Sequence, residues 1–223
     1  AVSPNAQLTT APTSVTFTPA NWNVAQTVTV SAVDDAVVEG AHSGTVAHTV
    51  SSVDTAYDGA EVAVVEVGIT DNDNAGVSVV QSGGNTAVTE GGATDTYTLV
   101  LTSQPTANVV VNVASGTQLS TAPTSVTFTS GNWSVAQTVT VAAVDDAIAE
   151  GTHNGSVTHT VTSADPNYQG RLVDSVSVTI TDNDTAGVTV TQSEGNTAVT
   201  EGGATDTLSV VLQSQPQSTV TVT

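Results

Sequence analysis

Ile69-Thr70-Asp71-Asn72-Asp73-Asn74-Ala75-Gly76-Val77 recurs as Ile180-Thr181-Asp182-Asn183-Asp184-Thr185-Ala186-Gly187-Val188. In both copies an apolar strand end leads into two carboxylates separated by one residue. Alternate side chains of an extended chain point to the same side, so we expect Asp71 and Asp73 to lie close together. Two like charges about 5 Å apart cost about 3 kcal/mol at an effective dielectric constant near 20, which a divalent cation would offset. This stretch alone leaves a second interpretation open, in which Asp and Asn only form a turn.

The rest of the chain repeats with the same period. Trp22-Asn23-Val24-Ala25-Gln26-Thr27-Val28-Thr29-Val30 reappears as Trp133-Ser134-Val135-Ala136-Gln137-Thr138-Val139-Thr140-Val141, 111 residues later, without insertion or deletion. A unit of this length is close to an immunoglobulin-like sandwich in size, so each copy should be a domain with its own core. We therefore expect a complete domain at residues 74–184, the later part of a domain at 1–73, and the opening strands of a further domain at 185–223.

The pattern inside each copy is that of β-strands. Residues 27–30, 109–113, 176–180 and 188–191 alternate β-branched apolar residues with polar ones, most of them Thr or Ser. No stretch shows helical periodicity, and Pro or Gly clusters interrupt the chain at short intervals. The predicted fold class is all-β, with tandem immunoglobulin-like antiparallel β-sandwiches.

Aromatic residues are scarce, at 3% of the chain. We expect residues 11–18 and the segment from Trp22 to form two strands joined by a turn at 19–21. Phe17 and Trp22 are then expected to anchor the core, because a Val-rich sandwich has few other large side chains. The alternative is that Trp22 and Trp133 stack on sugar rings.

The charge of the chain restricts its partners. Lys and Arg together number 1 and Asp and Glu number 21, which gives a net charge of -20. Nucleic acid and anionic membranes are excluded as electrostatic partners because both require a basic face. No apolar run is long enough to cross a bilayer, and no cysteine is present to form a disulfide. Cations are the natural counterpart of such a chain.

Two further acidic clusters keep the repeat spacing. Asp34-Asp35 followed by Glu39-Gly40 returns as Asp145-Asp146 followed by Glu150-Gly151, and Val88-Thr89-Glu90-Gly91-Gly92 returns around Glu201. Calcium takes six to eight oxygen ligands from flexible loops, whereas magnesium demands stricter octahedral geometry. Acidic loops of this kind favour calcium, and the alternative is a set of solvated acidic turns.

The three motifs in order, Val-x-Glu-Gly-Gly, Thr-Val-Thr-Val-x-Ala-Val-Asp-Asp-x-x-x-Glu-Gly and Val-x-Ile-x-Asp-Asn-Asp, resemble the Calx-beta domain. That family is a calcium-binding β-sandwich found in sodium/calcium exchangers, integrin β4 and large bacterial surface proteins. The resemblance implies a surface or extracellular location and Ca²⁺ at one end of each sandwich. In the complete domain the implied ligands are Glu90, Asp145, Asp146, Glu150, Asp182 and Asp184. In residues 1–73 they are Asp34, Asp35, Glu39, Asp71 and Asp73, with no counterpart of Glu90.

One loop departs from the family pattern. Many members carry Gly-x-Asp-Tyr ahead of the middle strands, and here Ser115-Gly116-Thr117-Gln118-Leu119 stands there instead. The resemblance therefore leaves one ligand of that loop unmatched.

The histidines occur in pairs, His42 with His48 and His153 with His159. Six residues of extended strand span roughly 20 Å, too far for both members to bind one ion. We therefore expect these histidines to face solvent.

Catalysis is the least supported class of function. The chain has no cysteine nucleophile, no serine in an elbow motif and no phosphate-binding Gly-rich loop. Glu90 and Glu150 resemble an acid–base pair only superficially, because the neighbouring aspartates suit ion binding better than two separated protonation states. We predict no enzyme and no catalytic residue.

Two functions stay open. The first is a calcium-stiffened spacer whose partners are neighbouring repeats of the same or an identical chain, and near-identity of the copies favours it. The second is an adhesion module that recognises a protein or glycan. We expect the chain to be an excerpt of a longer array; the alternative is that the tail of one chain completes the head of the next by strand complementation.

Overall fold

The structure is a computed structural model that describes all 223 residues. It is an all-β protein, which confirms the predicted fold class, and its only helical segments are two 3-10 turns at Ser82–Gly84 and Ser193–Gly195. The chain divides into two compact units, Ala1–Ala75 and Gly76–Thr223. None of its helical segments has the length and apolar character needed to cross a membrane. The predicted boundary after residue 184 stays a prediction.

Unit 1 contains five short strands in two antiparallel sheets. Strands β1, β4 and β5 form one sheet in the order β1-β4-β5, and β2 pairs with β3 in the other. Their bounds are β1 (Val2–Pro4), β2 (Leu8–Ala11), β3 (Thr29–Ala32), β4 (His42–His48) and β5 (Val65–Ile69). A small core of Val2, Leu8 and Val46 lies between them.

Unit 2 contains a four-stranded sheet, a five-stranded sheet and a separate hairpin. A four-stranded sheet has the order β10-β12-β8-β6, a five-stranded sheet has the order β11-β9-β13-β14-β7, and β15 pairs with β16. Their bounds are β6 (Val77–Gln81), β7 (Thr86–Thr89), β8 (Asp95–Leu101), β9 (Val109–Ser115), β10 (Leu119–Ala122), β11 (Ser125–Phe128), β12 (Gln137–Ala143), β13 (His153–Ser163), β14 (Val176–Thr181), β15 (Val188–Gln192) and β16 (Leu208–Leu212).

The core of unit 2 follows the period-two pattern of its sequence. Along β14 the residues alternate between buried and exposed, and Val176, Val178 and Ile180 are fully buried. Leu99 and Val139 are fully buried in the four-stranded sheet. Full burial of such a side chain contributes about 1.5–3 kcal/mol, so the alternating valines account for the packing of the two sheets.

A single parallel pairing decides which residues meet at one end of the sandwich. Strand β7 runs parallel to β14, with Thr89 opposite Thr181. The Glu90 N–H continues this pairing by donating to the Thr181 carbonyl at 3.0 Å. Because both strands leave the sheet in the same direction, Glu90 and Asp182 emerge side by side.

Two predictions about unit 1 are wrong. Phe17 and Trp22 are 54% and 71% exposed, so neither anchors a core, whereas Phe128, the repeat counterpart of Phe17, is fully buried in unit 2. Phe128 lies on β11, which pairs with β9 at Val109, whereas residues 14–18 of unit 1 form no strand and pair with none. Trp22 also lies in a turn rather than in a strand. The side chain of Asn21 accepts hydrogen bonds from both the backbone N–H and the hydroxyl of Thr18, which closes that turn.

The prediction that the histidines face solvent is also wrong for His159. Its Nδ1 lies 2.9 Å from the Asp174 carbonyl and its Nε2 lies 2.8 Å from the Tyr97 hydroxyl. The Tyr97 and His159 rings meet edge to face, with centroids 5.4 Å apart. Burial lowers the pKa of His159 and raises that of Tyr97. A neutral imidazole whose Nδ1–H donates to the Asp174 carbonyl and whose Nε2 accepts from the Tyr97 hydroxyl satisfies the hydrogen bonding of the ring and of both partners.

Candidate metal centre

Three segments of unit 2 bring acidic side chains together at one end of the sandwich. Ligand atoms of Glu90, Glu150 and His153 lie within 4.8 Å of one another, and so do those of Glu90, Asp182 and Asp184. Glu90 follows β7, Glu150 ends the loop before β13, and the two aspartates follow β14. The structure therefore joins residues from all three acidic motifs, with Glu90 common to both groups.

Glu90 occupies an unusual environment for a carboxylate. It is only 2% exposed, and neither of its carboxylate oxygens has a hydrogen-bond partner. Burial raises its pKa, and the charges of Asp182, Asp146 and Glu150 raise it further. An unsatisfied buried group of this kind costs about 1–3 kcal/mol, and more when it is charged. Such a side chain calls for a positively charged partner.

The glycine after Glu90 is required by the close approach of two loops. Gly91 has a φ of +60°, which favours glycine. A Cβ at this position would lie 3.0 Å from Asn183 Nδ2 and 3.2 Å from Asp145 Oδ1. Glycine therefore lets the turn carry Glu90 inward beneath the two acidic loops.

Asp182 organises the loop that carries Glu150. Its Oδ2 accepts the backbone N–H groups of Glu150 and Gly151, each at 2.6 Å, and its Oδ1 accepts the Asp184 N–H at 2.7 Å. The N–H groups of Asp184 and Gly151, opposed by burial, lower the pKa of Asp182. Burial and the neighbouring Asp182 charge raise the pKa of Asp184. The backbone hydrogen bonds thus favour the anionic form of Asp182, whereas burial and the neighbouring charges disfavour the anionic form of Asp184.

Asp145 and Asp146 lie around the rim of the site. Asp145 Oδ1 accepts a hydrogen bond from Asn183 Nδ2 at 2.9 Å, and the same amide donates to the Glu90 carbonyl at 3.1 Å. Asp146 Oδ1 accepts the Ile148 N–H at 2.7 Å. Neither aspartate belongs to the two groups of converging ligand atoms. Both raise the pKa of Asp184 and so add to the negative potential of the centre.

The sequence-based ligand set omitted two side chains that contact Glu150. Gln118 Nε2 donates to Glu150 Oε2 at 2.6 Å, and His153 Nε2 lies 3.6 Å from the same oxygen. A signal for Gln118 existed, because Gln7 stands 111 residues earlier and donates to Glu39 at 2.8 Å. The unmatched loop of the family pattern therefore still contributes a polar contact, as a donor rather than a ligand.

Unit 1 contains the same loop without the buried glutamate. Asp71 Oδ2 accepts the N–H groups of Glu39 and Gly40 at 2.7 and 2.8 Å, and its Oδ1 accepts the Asp73 N–H at 2.9 Å. Asp34 accepts from Asn72 at 3.1 Å, and Asp35 accepts the Val37 N–H at 2.8 Å. No three ligand atoms of unit 1 converge as they do in unit 2. The acidic loop alone therefore does not assemble the centre.

The donors of the second group suit a hard divalent cation. Glu90, Asp182 and Asp184 offer only carboxylate oxygens, and calcium prefers oxygen ligands drawn from loops. An oxygen of Glu90 lies within 4.8 Å of an oxygen of each aspartate, and neither Glu90 oxygen has another partner, so this donor set suits such an ion.

Comparisons with known proteins give similarity of fold at low identity. No protein-family profile matches the chain, and no curated protein matches it. An apo-form Calx CBD1 domain is 16% identical over 48% of this chain and 98% of that one, with a TM-score of 0.35. Domains 4 and 5 of the S-layer protein SbsC are 16% identical over 63% of this chain and 65% of theirs, with a TM-score of 0.29. The longer S-layer fragment rSbsC(31-844) is 16% identical over 80% of this chain and 25% of its own length, with a TM-score of 0.33. At these scores the similarities carry no argument about ligand or partner.

Proposed function

We propose that the chain is a calcium-stiffened structural repeat of an extracellular surface, adhesin or matrix protein. The observation that carries this proposal is the buried carboxylate of Glu90, whose oxygens have no partner although Asp182 and Asp184 lie beside it. A calcium ion held by these oxygens would turn a mutual repulsion into a bond between segments that are distant in the sequence. The acidic composition, with a net charge of -20, agrees with such a role.

The stiffening follows from where the ligands lie along the chain. Asp182 and Asp184 stand in the stretch between β14 and β15, and Glu90 follows β7, far earlier in the chain. An ion bound to all of them removes the backbone freedom of that stretch, which is the junction between one repeat and the next. Ordering each residue costs about 1–2 kcal/mol in lost backbone entropy, and the free energy of cation binding offsets this cost.

The partners in this proposal are neighbouring repeats of the same or an identical chain. Strand β16 exposes Leu208 and Val210 by 56% and 44%, whereas their repeat counterparts Tyr97 and Leu99 are fully buried. An apolar strand face of this kind is stable only when another sheet covers it. Light scattering of the 223-residue chain checks this point: a monomer at all concentrations would contradict association through this face.

Thermal unfolding in calcium and in chelator tests the calcium role. Selective binding to the folded state raises the melting temperature, by an amount that corresponds to about 2.7 kcal/mol when calcium exceeds its dissociation constant about a hundredfold. We expect a rise for the full chain in millimolar calcium and its reversal by chelator. A melting temperature that is the same in both solutions would refute the proposal.

A further inference from the structure

The first group of converging ligands differs from the second in one respect, because it contains an imidazole. His153 Nδ1 lies 2.9 Å from the Gly151 carbonyl, so Nδ1 carries the hydrogen and Nε2 presents its lone pair. Nε2 has no hydrogen-bond partner and lies in the group formed with Glu90 and Glu150. Metal-binding histidines are commonly oriented in this way, by a hydrogen bond from the ring nitrogen that does not bind the metal.

An ion pair between His153 and Glu150 does not account for this arrangement. The 3.6 Å between His153 Nε2 and Glu150 Oε2 exceeds the 2.7–2.9 Å of a charge-assisted hydrogen bond. It is close to the separation of about 3.4 Å between two ligands that each lie about 2.1 Å from a tetrahedral ion. A protonated Nε2 would lie within 4.8 Å of a Glu90 oxygen but would still donate no hydrogen bond to either oxygen of that carboxylate.

We propose that Glu90, Glu150 and His153 form a mixed nitrogen and oxygen subsite for a divalent first-row transition ion, such as zinc, beside the calcium subsite. This inference deepens the proposed cation site and rests on it for the shared ligand Glu90. Imidazole and carboxylate together suit zinc and its neighbours, whereas calcium avoids nitrogen ligands. The Gln118 amide, which donates to Glu150 Oε2 at 2.6 Å, orients that carboxylate from outside the subsite.

Unit 1 provides an internal comparison. His42 Nδ1 lies 2.8 Å from the Gly40 carbonyl and its Nε2 lies 3.3 Å from Glu39 Oε2, so the histidine and the loop glutamate are arranged as in unit 2. The buried third ligand is missing, and no group of three converges there. The subsite of unit 2 should therefore bind a transition ion much more tightly than its counterpart in unit 1.

The test uses the full 223-residue chain in saturating calcium, so that the oxygen subsite is already filled. Zinc is titrated by calorimetry, and cobalt(II) is added in parallel because its visible absorption reports a nitrogen ligand and low coordination number. We expect one zinc-displaceable cobalt spectrum in the wild type. His153→Ala should weaken zinc binding at least ~10-fold, and His42→Ala, the matched control, should leave the tight site unchanged.

Each outcome decides between the two sites. Zinc binding that is as tight in His153→Ala as in the wild type overturns the inference, and so does an equal loss in the two histidine variants. His153→Ala should keep its calcium-dependent rise in melting temperature, which also shows that the variant folds. Asp184→Asn should lose calcium binding and keep zinc. A chain that binds zinc through His153 but shows no response to calcium would refute the proposed function and leave this inference standing.

Discussion

Replacing Glu90 by glutamine should stabilise unit 2 in chelator and reduce its stabilisation by calcium. Without a cation, the wild type holds a carboxylate that is 2% exposed, has no hydrogen-bond partner and lies among other carboxylates. Glutamine keeps the shape of the side chain and removes its charge. The variant should therefore be more stable than the wild type in chelator and less responsive to calcium.

The magnitude follows from the environment of the side chain. The buried glutamine amide is polar as well, so the gain comes from removing the charge, whose burial costs more than that of a neutral group and which the neighbouring carboxylates repel. We expect Glu90→Gln to raise the free energy of unfolding of unit 2 in chelator by about 2 kcal/mol. This change corresponds to a rise in melting temperature of about 6 °C for a domain of this size. In calcium the variant lacks a ligand shared by both groups, and a tenfold loss of affinity removes about 1.4 kcal/mol of the stabilisation.

The assay needs a reporter for unit 2. The chain has two tryptophans, and Trp22→Phe leaves Trp133 of unit 2 as the fluorescent probe. Melting curves are recorded in this background for Glu90→Gln and for Glu201→Gln, which removes the same charge from the exposed copy of the motif. The control should change neither curve by more than a degree or so. A loss of stability in chelator for Glu90→Gln would refute the reasoning, because it would mean that the buried carboxylate already has a stabilising partner.

Three further outcomes are expected. Asp182→Asn should reduce the calcium-dependent rise in melting temperature, since Asp182 both faces Glu90 and holds the Glu150 loop by two backbone hydrogen bonds; an unchanged calcium response would contradict this role. Unit 2 should lose stability as the pH falls below about 6.5, because burial lowers the pKa of His159 in the folded protein while the unfolded side chain takes up a proton. In melting curves recorded at several pH values, the dependence of stability on pH should be weaker in His159→Gln, and an unchanged dependence would contradict this prediction. Tyr168→Phe should cost about 1–3 kcal/mol in denaturant unfolding because the buried hydroxyl donates to the Ser103 carbonyl at 2.7 Å, and Tyr57→Phe, at the 64% exposed counterpart, should cost almost nothing.

The strands were predictable because their signal is local. Alternation of valine with threonine or serine is visible within a few residues, and β14 follows that pattern of burial residue by residue. A turn at 19–21 was expected, and the Asn21 side chain closes it on Thr18; its continuation through Trp22, where the Val24 N–H donates to the Asn21 carbonyl, was missed. The pattern of apolar residues does not reveal hydrogen bonds of this kind, because it contains no information about which polar groups bind the backbone.

The convergence of the acidic motifs was expected from the family resemblance, but its geometry depends on pairings that a single sequence does not encode locally. Glu90 meets Asp182 only because β7 pairs in parallel with β14, far along the chain. His153 was rejected as a metal ligand from the sequence because it is too far from His159 for both to bind one ion. That spacing does exclude a shared ion, but His159 is not the residue that His153 lies beside. Its actual neighbours are Glu150, three residues before it, and Glu90, brought in by the parallel pairing.

Comparison of the two copies of the acidic loop shows that formation of the loop and convergence of the metal ligands have different requirements. In both units the first aspartate of the Asp-Asn-Asp motif, Asp71 or Asp182, accepts two N–H groups from the Glu-Gly corner, so the loop forms without Glu90. Only in unit 2, where β7 delivers a buried carboxylate, do three ligands converge. A cation bound there joins the end of β7 to the end of β14, and its binding energy adds to the free energy of unfolding of the whole sandwich. Calcium should therefore raise the temperature at which the whole of unit 2 unfolds cooperatively, rather than only order its loops.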